Sequence, residues 1–356
     1  MYSDKPVKLI LDDGTVFEGK SFGSETAKAG EVVFSTAMVG YTESLTDPSY
    51  IGQILVVTFP LVGNYGVPDD TFTDGISDFY ESEKVQISGL IVSDYSHEYS
   101  HWNAKKSLGD WLKEHDVPGI YGIDTRELTK ILREKGSMKG KIVFTNENEI
   151  DFYDPNLENQ VAIASCKEVL TYGNGEKKVL LVDCGVKHNI IRSLLKRNVT
   201  VIRVPWNYDF NQLEWDGLFI SNGPGNPDLC EETVKNIRKA MEGNKPICGI
   251  CMGNQLLSKA GGASIYKLKY GHRSHNQPVK MVDSTQCFIT SQNHGFAVAN
   301  SSLGADWEPL FINLNDGTNE GIKHKTKPFF SAQFHPEAAS GPTDTGFLFD
   351  LFVDKL

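Results

Sequence analysis

Residues 245–257 read Lys-Pro-Ile-Cys-Gly-Ile-Cys-Met-Gly-Asn-Gln-Leu-Leu and constrain the fold more than any other stretch of the chain. An apolar run leads into Gly249-Ile-Cys-Met-Gly253, and a helical pattern follows it. Glycines two residues either side of Cys251 let the backbone turn sharply from strand to helix, so that the cysteine projects from a tight corner. Such an elbow belongs to an α/β sheet. A helix N-terminus favours a nearby anion, here a reactive thiolate. The N–H of Met252 would point to the same spot, where an oxyanion donor belongs. Cys248 and Cys251 also form a C-x-x-C pair, with His272 and His275 downstream. The spacing misses the zinc-finger pattern, and Cys248 falls inside the strand, so no metal is expected there.

A cysteine nucleophile needs a base, and the base needs an orienting group. Near the C-terminus an apolar strand, Phe329-Phe-Ser-Ala-Gln-Phe334, runs into His335-Pro-Glu337. Proline stops the strand and fixes the turn. His335 and Glu337, two residues apart, can set imidazole and carboxylate side by side. Alone this motif is weak; beside the cysteine elbow it completes a Cys–His–Glu set.

From Lys178 onward, strands alternate with helices. Strands are predicted at Val179–Val182, Val199–Val204, Gly217–Ser221 and Pro246–Ile250. Helices are predicted at Asn189–Arg197 and Glu231–Met241, and after Cys251. This rhythm predicts a doubly wound, mainly parallel sheet with its site in loops at the carboxyl ends of strands. Residues 1–145 read instead as a mixed, strand-rich domain. Val7–Leu11, the Asp12-Asp13-Gly14 turn and a strand from Thr15 form a hairpin, and Ile54–Phe59 and Ile87–Ser93 are further strands. Helices are predicted at Ala104–His115 and after Asp124, an N-cap with Glu127 three residues on and Gly136 at the far end. Turn chemistry at Thr145–Glu149, Asp154-Pro155-Asn156 and Gly173-Asn174-Gly175 marks residues 146–177, which are read as a linker. The C-terminal domain spans residues 178–356.

Length and composition narrow the function. With 356 residues, two domains are expected, and 40% hydrophobic and 23% charged content is ordinary for a globular chain. A formal net charge of −11 without a basic stripe argues against nucleic acid. No apolar run reaches the ~20 residues that span a bilayer. The first residues resemble neither a secretory signal nor a transit peptide. Six scattered cysteines suggest reduced thiols rather than a disulfide framework. The expectation is a cytoplasmic protein.

Together, Ser221-Asn-Gly-Pro-Gly225, Gly249-Ile-Cys-Met-Gly253 and Phe334-His-Pro-Glu337 resemble the triad-type, class I glutamine amidotransferases, and the chain order Cys, His, Glu agrees. Gly30-Glu-Val-Val-Phe34, Gly40–Tyr50, Gly63-Asn-Tyr-Gly66, Gly122-Ile-Asp-Thr-Arg126 and Ser291-Gln-Asn-His-Gly-Phe296 resemble the small subunit of carbamoyl-phosphate synthetase. The likeness covers nearly the whole chain and is greatest to the glutaminase part of fused eukaryotic pyrimidine enzymes. It implies Cys251 as nucleophile, His335 as general base and acid, and Glu337 as the orienting carboxylate. It implies glutamine contacts at Ser49, Gly223, Gly225, Met252, Gln255, Asn293, Gly295 and Phe296. Ser49 would bring the N-terminal domain into the site.

The implied reaction is hydrolysis of L-glutamine to glutamate and ammonia through a Cys251 thioester, with no cofactor. A synthetase partner, separate or fused, would use the ammonia for carbamoyl phosphate in pyrimidine or arginine synthesis. No G-x-x-x-x-G-K-[ST] loop is present, and the chain is too short for the synthetase's ATP-using modules. Three positions depart from the family pattern: Asn254 stands where many relatives carry His, Met252 where Leu is common, and Ser274 where Gly is frequent. Some urea-cycle relatives have lost the nucleophile, a loss that Cys251 argues against here. The competing reading is a regulatory subunit that binds glutamine without cleaving it.

Overall fold

The computed structural model describes residues 5–144 and 150–356, arranged as two compact units, Met1–Leu157 and Glu158–Leu356. The turn expected at Thr145–Glu149 lies outside the described residues.

The first unit is built on a closed barrel. Its strands run, around the barrel, Pro6–Leu11, Met138–Phe144, Lys28–Ser35, Gln53–Val57, Gly89–Ile91, Gly119–Tyr121 and Val16–Ser21. The first hairpin forms where the sequence predicts it: Gly14 sits at φ 87°, and Asp13 Oδ1 accepts a hydrogen bond from the Thr15 amide at 2.9 Å. The helix Thr125–Lys135 is capped by Asp124, whose Oδ1 accepts from the Glu127 amide at 2.8 Å, and it ends at Gly136 with φ 100°. Leu128 and Leu132, one turn apart, are fully buried in a core with Leu9, Val32 and Ile54.

The helix expected over Ala104–His115 is shorter than predicted. Ala104–Lys106 is a strand, and the helix covers Leu108–Glu114. The cause is Ser107, whose hydroxyl accepts from the Asp110 amide at 3.1 Å and fixes the helix start there.

The second unit is one ten-stranded sheet in the order Leu170–Tyr172, Thr200–Pro205, Lys178–Asp183, Gly217–Ile220, Ile247–Ile250, Phe329–Ala332, Asn319–His324, Trp307–Asn313, Ile265–Met281 and Cys287–Val298. From Thr200–Pro205 to Phe329–Ala332 the pairing is parallel. These strands read as unbroken apolar runs because both faces are covered; Val179, Leu180, Leu181 and Val182 are all fully buried. The remaining strands are antiparallel, dominated by a long hairpin of Ile265–Met281 and Cys287–Val298. Within the segment read as a linker, Gln160–Ala164 is helical and Leu170–Tyr172 pairs with Thr200–Pro205 at the sheet edge. Among the described residues, no helix is long and apolar enough to cross a membrane.

Candidate active site

Register determines which loops meet. Val182 pairs with Ile220, Ile220 with Gly249, and Ile250 with Ala332. Four neighbouring parallel strands therefore end level, and the segments that follow them (184–187, 221–225, 251–253 and 333–337) stand side by side at their carboxyl ends.

Cys251 lies between the strand Ile247–Ile250 and the helix Met252–Ala260. Its backbone has φ 54° and ψ −102°, a region that costs a non-glycine residue about 1–3 kcal/mol. The glycines on either side pack too closely for any side chain. A Cβ on Gly249 would lie 2.4 Å from the Gly253 carbonyl oxygen, and one on Gly253 would lie 2.1 Å from that of Ile220. The Cys251 amide donates to the Ala332 carbonyl at 2.9 Å, tying the corner to the next strand. The thiol is buried, and its Sγ lies 3.7 Å from the Asn293 carbonyl oxygen. As the first residue of its helix, Met252 has an N–H with no intrahelical acceptor.

His335 Nδ1 lies 2.6 Å from Glu337 Oε1, and both side chains are buried. The His335 amide donates to the Ser291 carbonyl at 2.9 Å, joining the loop to the start of Ser291–Phe296. Burial alone would push the His335 pKa down. The Glu337 carboxylate and the neighbouring Cys251 outweigh it and raise the pKa to about 10. Burial would likewise raise the Glu337 pKa, but Lys187 and His335 hold it at about 2. The arrangement is an imidazole oriented through Nδ1 by a carboxylate, with Cys251 also acting on the ring.

Lys187 is the residue that sequence reasoning missed. Its Nζ lies 3.1 Å from Glu337 Oε1 and donates to the Ala338 carbonyl at 2.5 Å, and the side chain is 4% exposed. No local sequence pattern marks it. Lys187 is the N-cap of the helix His188–Leu195, where the helix dipole disfavours a cation, so a partner had to hold it. The loop carrying it is well organised. Asp183, ion-paired with Arg203 at 2.7 Å, accepts from the amides of Gly185 and Val186 at 2.8 Å each. Asn222 Oδ1 accepts from the Lys187 amide at 3.0 Å, and Asn189 Nδ2 donates to the Glu337 carbonyl.

The other predicted residues fall as follows. Gly223 packs so closely that a Cβ would lie 2.0 Å from the Cys184 carbonyl oxygen, and Gly225 sits at φ 80°. Both occupy the loop next to Cys251. Gln255 Nε2 donates to the Phe296 carbonyl at 3.0 Å and to Gln333 Oε1 at 3.2 Å, so Gln255 and Phe296 meet directly. Asn293 and Gly295 lie on the same strand as Phe296, Cys287–Val298. Asn254, the departure from the family pattern, is structural. It donates to Gln333 Oε1 at 2.9 Å and accepts from Ser331 Oγ at 2.7 Å, with no exposed surface. Ser49 belongs to the first unit, where its amide donates to Asp47 Oδ1 at 2.9 Å.

Residues 9–142 match the family model described as the carbamoyl-phosphate synthase small chain, CPSase domain, and residues 180–355 match glutamine amidotransferase class-I. Carbamoyl-phosphate synthase [ammonia], mitochondrial, of Rattus norvegicus is 51% identical over 353 residues, which is 98% of this chain and 23% of the relative. Multifunctional protein CAD of Squalus acanthias is 52% identical over 352 residues, 97% of this chain and 16% of the relative. Multifunctional protein URA2 of Saccharomyces cerevisiae is 47% identical over 389 residues, 99% of this chain and 18% of the relative. The chain thus spans less than a quarter of the length of each of these relatives.

Proposed function

We propose, for a chain that belongs to the carbamoyl-phosphate synthase small-chain family and carries its class I glutamine amidotransferase domain, that it hydrolyses L-glutamine and passes the ammonia to a synthetase making carbamoyl phosphate. The observation that carries this reading is the buried Cys251–His335–Glu337 set on adjacent strand ends, with His335 Nδ1 2.6 Å from its carboxylate.

The Cys251 thiolate attacks the carboxamide carbon of glutamine. N–H groups of Met252 and Gly225 receive the developing oxyanion, a donor typically worth ~10²–10³ in rate. His335 gives its proton to the departing nitrogen, which leaves as ammonia. It then takes a proton from water as the hydroxyl adds to the γ-glutamyl thioester, and collapse of the adduct releases glutamate and restores the thiolate beside a protonated His335. Glu337 holds the imidazole's orientation and stabilises its charged form. Gly223, Gln255, Asn293, Gly295 and Phe296 are proposed to shape the glutamine pocket. Ser49 in the first unit is proposed as a further contact, on the resemblance of its segment.

Several of the relatives carry "ammonia" in their names. Glutamine as the nitrogen source here rests on Cys251 in its elbow. The synthetase is proposed as the remainder of a longer polypeptide or as a separate subunit, serving pyrimidine or arginine synthesis. Relatives named mitochondrial stand beside multifunctional proteins whose names give no compartment; the free state of all six cysteines fits any reducing compartment, of which we propose the cytoplasm.

Glutamine labelled with ¹⁵N in its amide tests the reading. The chain, supplied with its synthetase, bicarbonate and ATP, should place the label in carbamoyl phosphate, and Cys251→Ser should abolish this while free ammonia still supports the product. Label transfer undiminished in Cys251→Ser would refute it.

A further inference from the structure

Gln333 lies just past the strand Phe329–Ala332, two residues before His335, and the glutaminase reaction gives it no role. It has no exposed surface, yet its amide is only half used. Oε1 accepts from Asn254 Nδ2 at 2.9 Å and from Gln255 Nε2 at 3.2 Å, whereas Nε2 is buried without a hydrogen-bond partner among the described residues. An unpaired buried donor costs stability that a methionine of similar shape would keep. The oxygen is therefore what this position supplies.

The backbone forces the orientation of these amides. Gln255 Nε2 donates one hydrogen to the Phe296 carbonyl at 3.0 Å, and a carbonyl oxygen can only accept. Turning the Gln255 amide would set oxygen against oxygen. With Nε2 fixed there, its second hydrogen meets Gln333 Oε1, and turning the Gln333 amide would set its NH₂ against those of both Gln255 and Asn254. Asn254 is held from behind by Ser331 Oγ, which donates to its Oδ1 at 2.7 Å. The series Ser331, Asn254, Gln333, Gln255 thus has one consistent donor and acceptor assignment.

Both hydrogens of Gln255 Nε2 are spent, which leaves Oε1, an acceptor, as the free end of that side chain. Gln255 stands one helical turn beyond Cys251, its amide donating to the Cys251 carbonyl at 3.2 Å, so the two side chains share a face of the helix. In a glutamine whose carboxamide carbon meets the thiolate, two other polar groups remain. The α-carboxylate only accepts, and the α-ammonium only donates.

We propose that Gln333 is a positioning residue for substrate selection, holding the Gln255 amide with Oε1 open to the α-ammonium of the bound glutamine. The assignment rests on the glutamine pocket proposed above and adds what fixes the end of the substrate that Gln255 reads. Without the Gln333 oxygen, one Gln255 hydrogen loses its acceptor. The amide can then turn about its bond to Phe296 and present N–H to a cation. Preference for the ammonium falls, while the thiolate and its base keep their own contacts.

The test compares the affinity for L-glutamine with that for glutaramate, the same molecule without its amino group, by calorimetry on the Cys251→Ser protein with its synthetase. Binding is read rather than turnover, so failure of this assignment and failure of the glutaminase reading are separate results. The parent protein should prefer L-glutamine. Gln333→Met should weaken L-glutamine about 10–100-fold, the range for a hydrogen bond to a charged group, and leave glutaramate unchanged. In a Gln255→Met background, Gln333→Met should alter neither affinity further. Gln333→Glu keeps an oxygen facing Gln255 and should retain the preference, which decides the matter should Gln333→Met fail to fold. A parent that binds both ligands alike, folded Gln333→Met with its preference intact or with both ligands weakened equally, a further loss in the Gln255→Met background, or folded Gln333→Glu without the preference would overturn the proposal.

Discussion

Lys187 Nζ lies 3.1 Å from Glu337 Oε1, which places a second buried cation on the carboxylate that orients His335. Glu337 is therefore held between two positive groups, and its ionised state depends on both. Lys187→Met leaves it with His335 alone. Breaking a buried ion pair by removing one partner typically costs about 3–5 kcal/mol. The expected outcome is a loss of that order in urea unfolding, together with a Glu337 pKa that rises from about 2. The acid limb of the stability profile then moves to higher pH.

The pH dependence of stability has a definite sign on each side. Glu337 titrates at about 2 in the folded protein against an ordinary 4.5, so its contribution is full above pH 4.5 and is lost as pH falls toward 2. His335 titrates at about 10 against 6.5, so its contribution is full below pH 6.5 and is lost as pH rises toward 10. Urea midpoints across pH 3–10 should fall at both ends. In Glu337→Gln both dependences should flatten, because burial then dominates and the His335 pKa drops. A wild-type profile that keeps rising above pH 8 would contradict the assignment.

The elbow tolerates no side chain at Gly253. Gly253→Ala places a methyl group 2.1 Å from the Ile220 carbonyl oxygen, which belongs to a neighbouring strand and cannot swing away. Overpacking of this kind costs about 1–3 kcal/mol, occasionally more. Thermal unfolding should show the loss, and glutamate release should fall at least in proportion.

Most of the candidate site was legible because its motifs are local. The Cys251 elbow and His335-Pro-Glu337 each sit within a few residues, and one period change at Lys178 announces the parallel strands that bring them together. What the sequence hid depends on contacts between distant segments. Lys187 reaches Glu337 only because their two loops end level in the sheet. The long hairpin Ile265–Met281 with Cys287–Val298 reads poorly because its strands are half-exposed and irregular in register. Its His272 and His294 become neighbours only when it closes. The helix start at Ser107 was a missed capping signal rather than a hidden one.

Asn254 gives a test of a residue that departs from its family's pattern yet is fully buried. Asn254→Ala removes the shortest hydrogen bond of Ser331 Oγ, leaving it the Ile322 backbone at 3.3 and 3.5 Å, and removes one donor to Gln333 Oε1. An unsatisfied buried polar group costs about 1–3 kcal/mol. Stability should fall by that amount, while the effect on glutamine turnover should stay within about tenfold, since the Asn254 side chain bonds Gln333 and Ser331 rather than Cys251, His335 or Glu337.

The central claim is that Cys251 is the nucleophile in glutamine hydrolysis. Glutamate release should be measured for the chain with its synthetase, beside Cys251→Ser, together with peptide mapping after exposure to an electrophilic glutamine analogue. Loss of a triad nucleophile is worth on the order of 10⁴–10⁶ in kcat. The account predicts turnover in the wild type that drops by that order in the variant, and a single analogue adduct on Cys251. Glutamate release unchanged in Cys251→Ser, or a wild type that neither turns over glutamine nor takes the label, would contradict it.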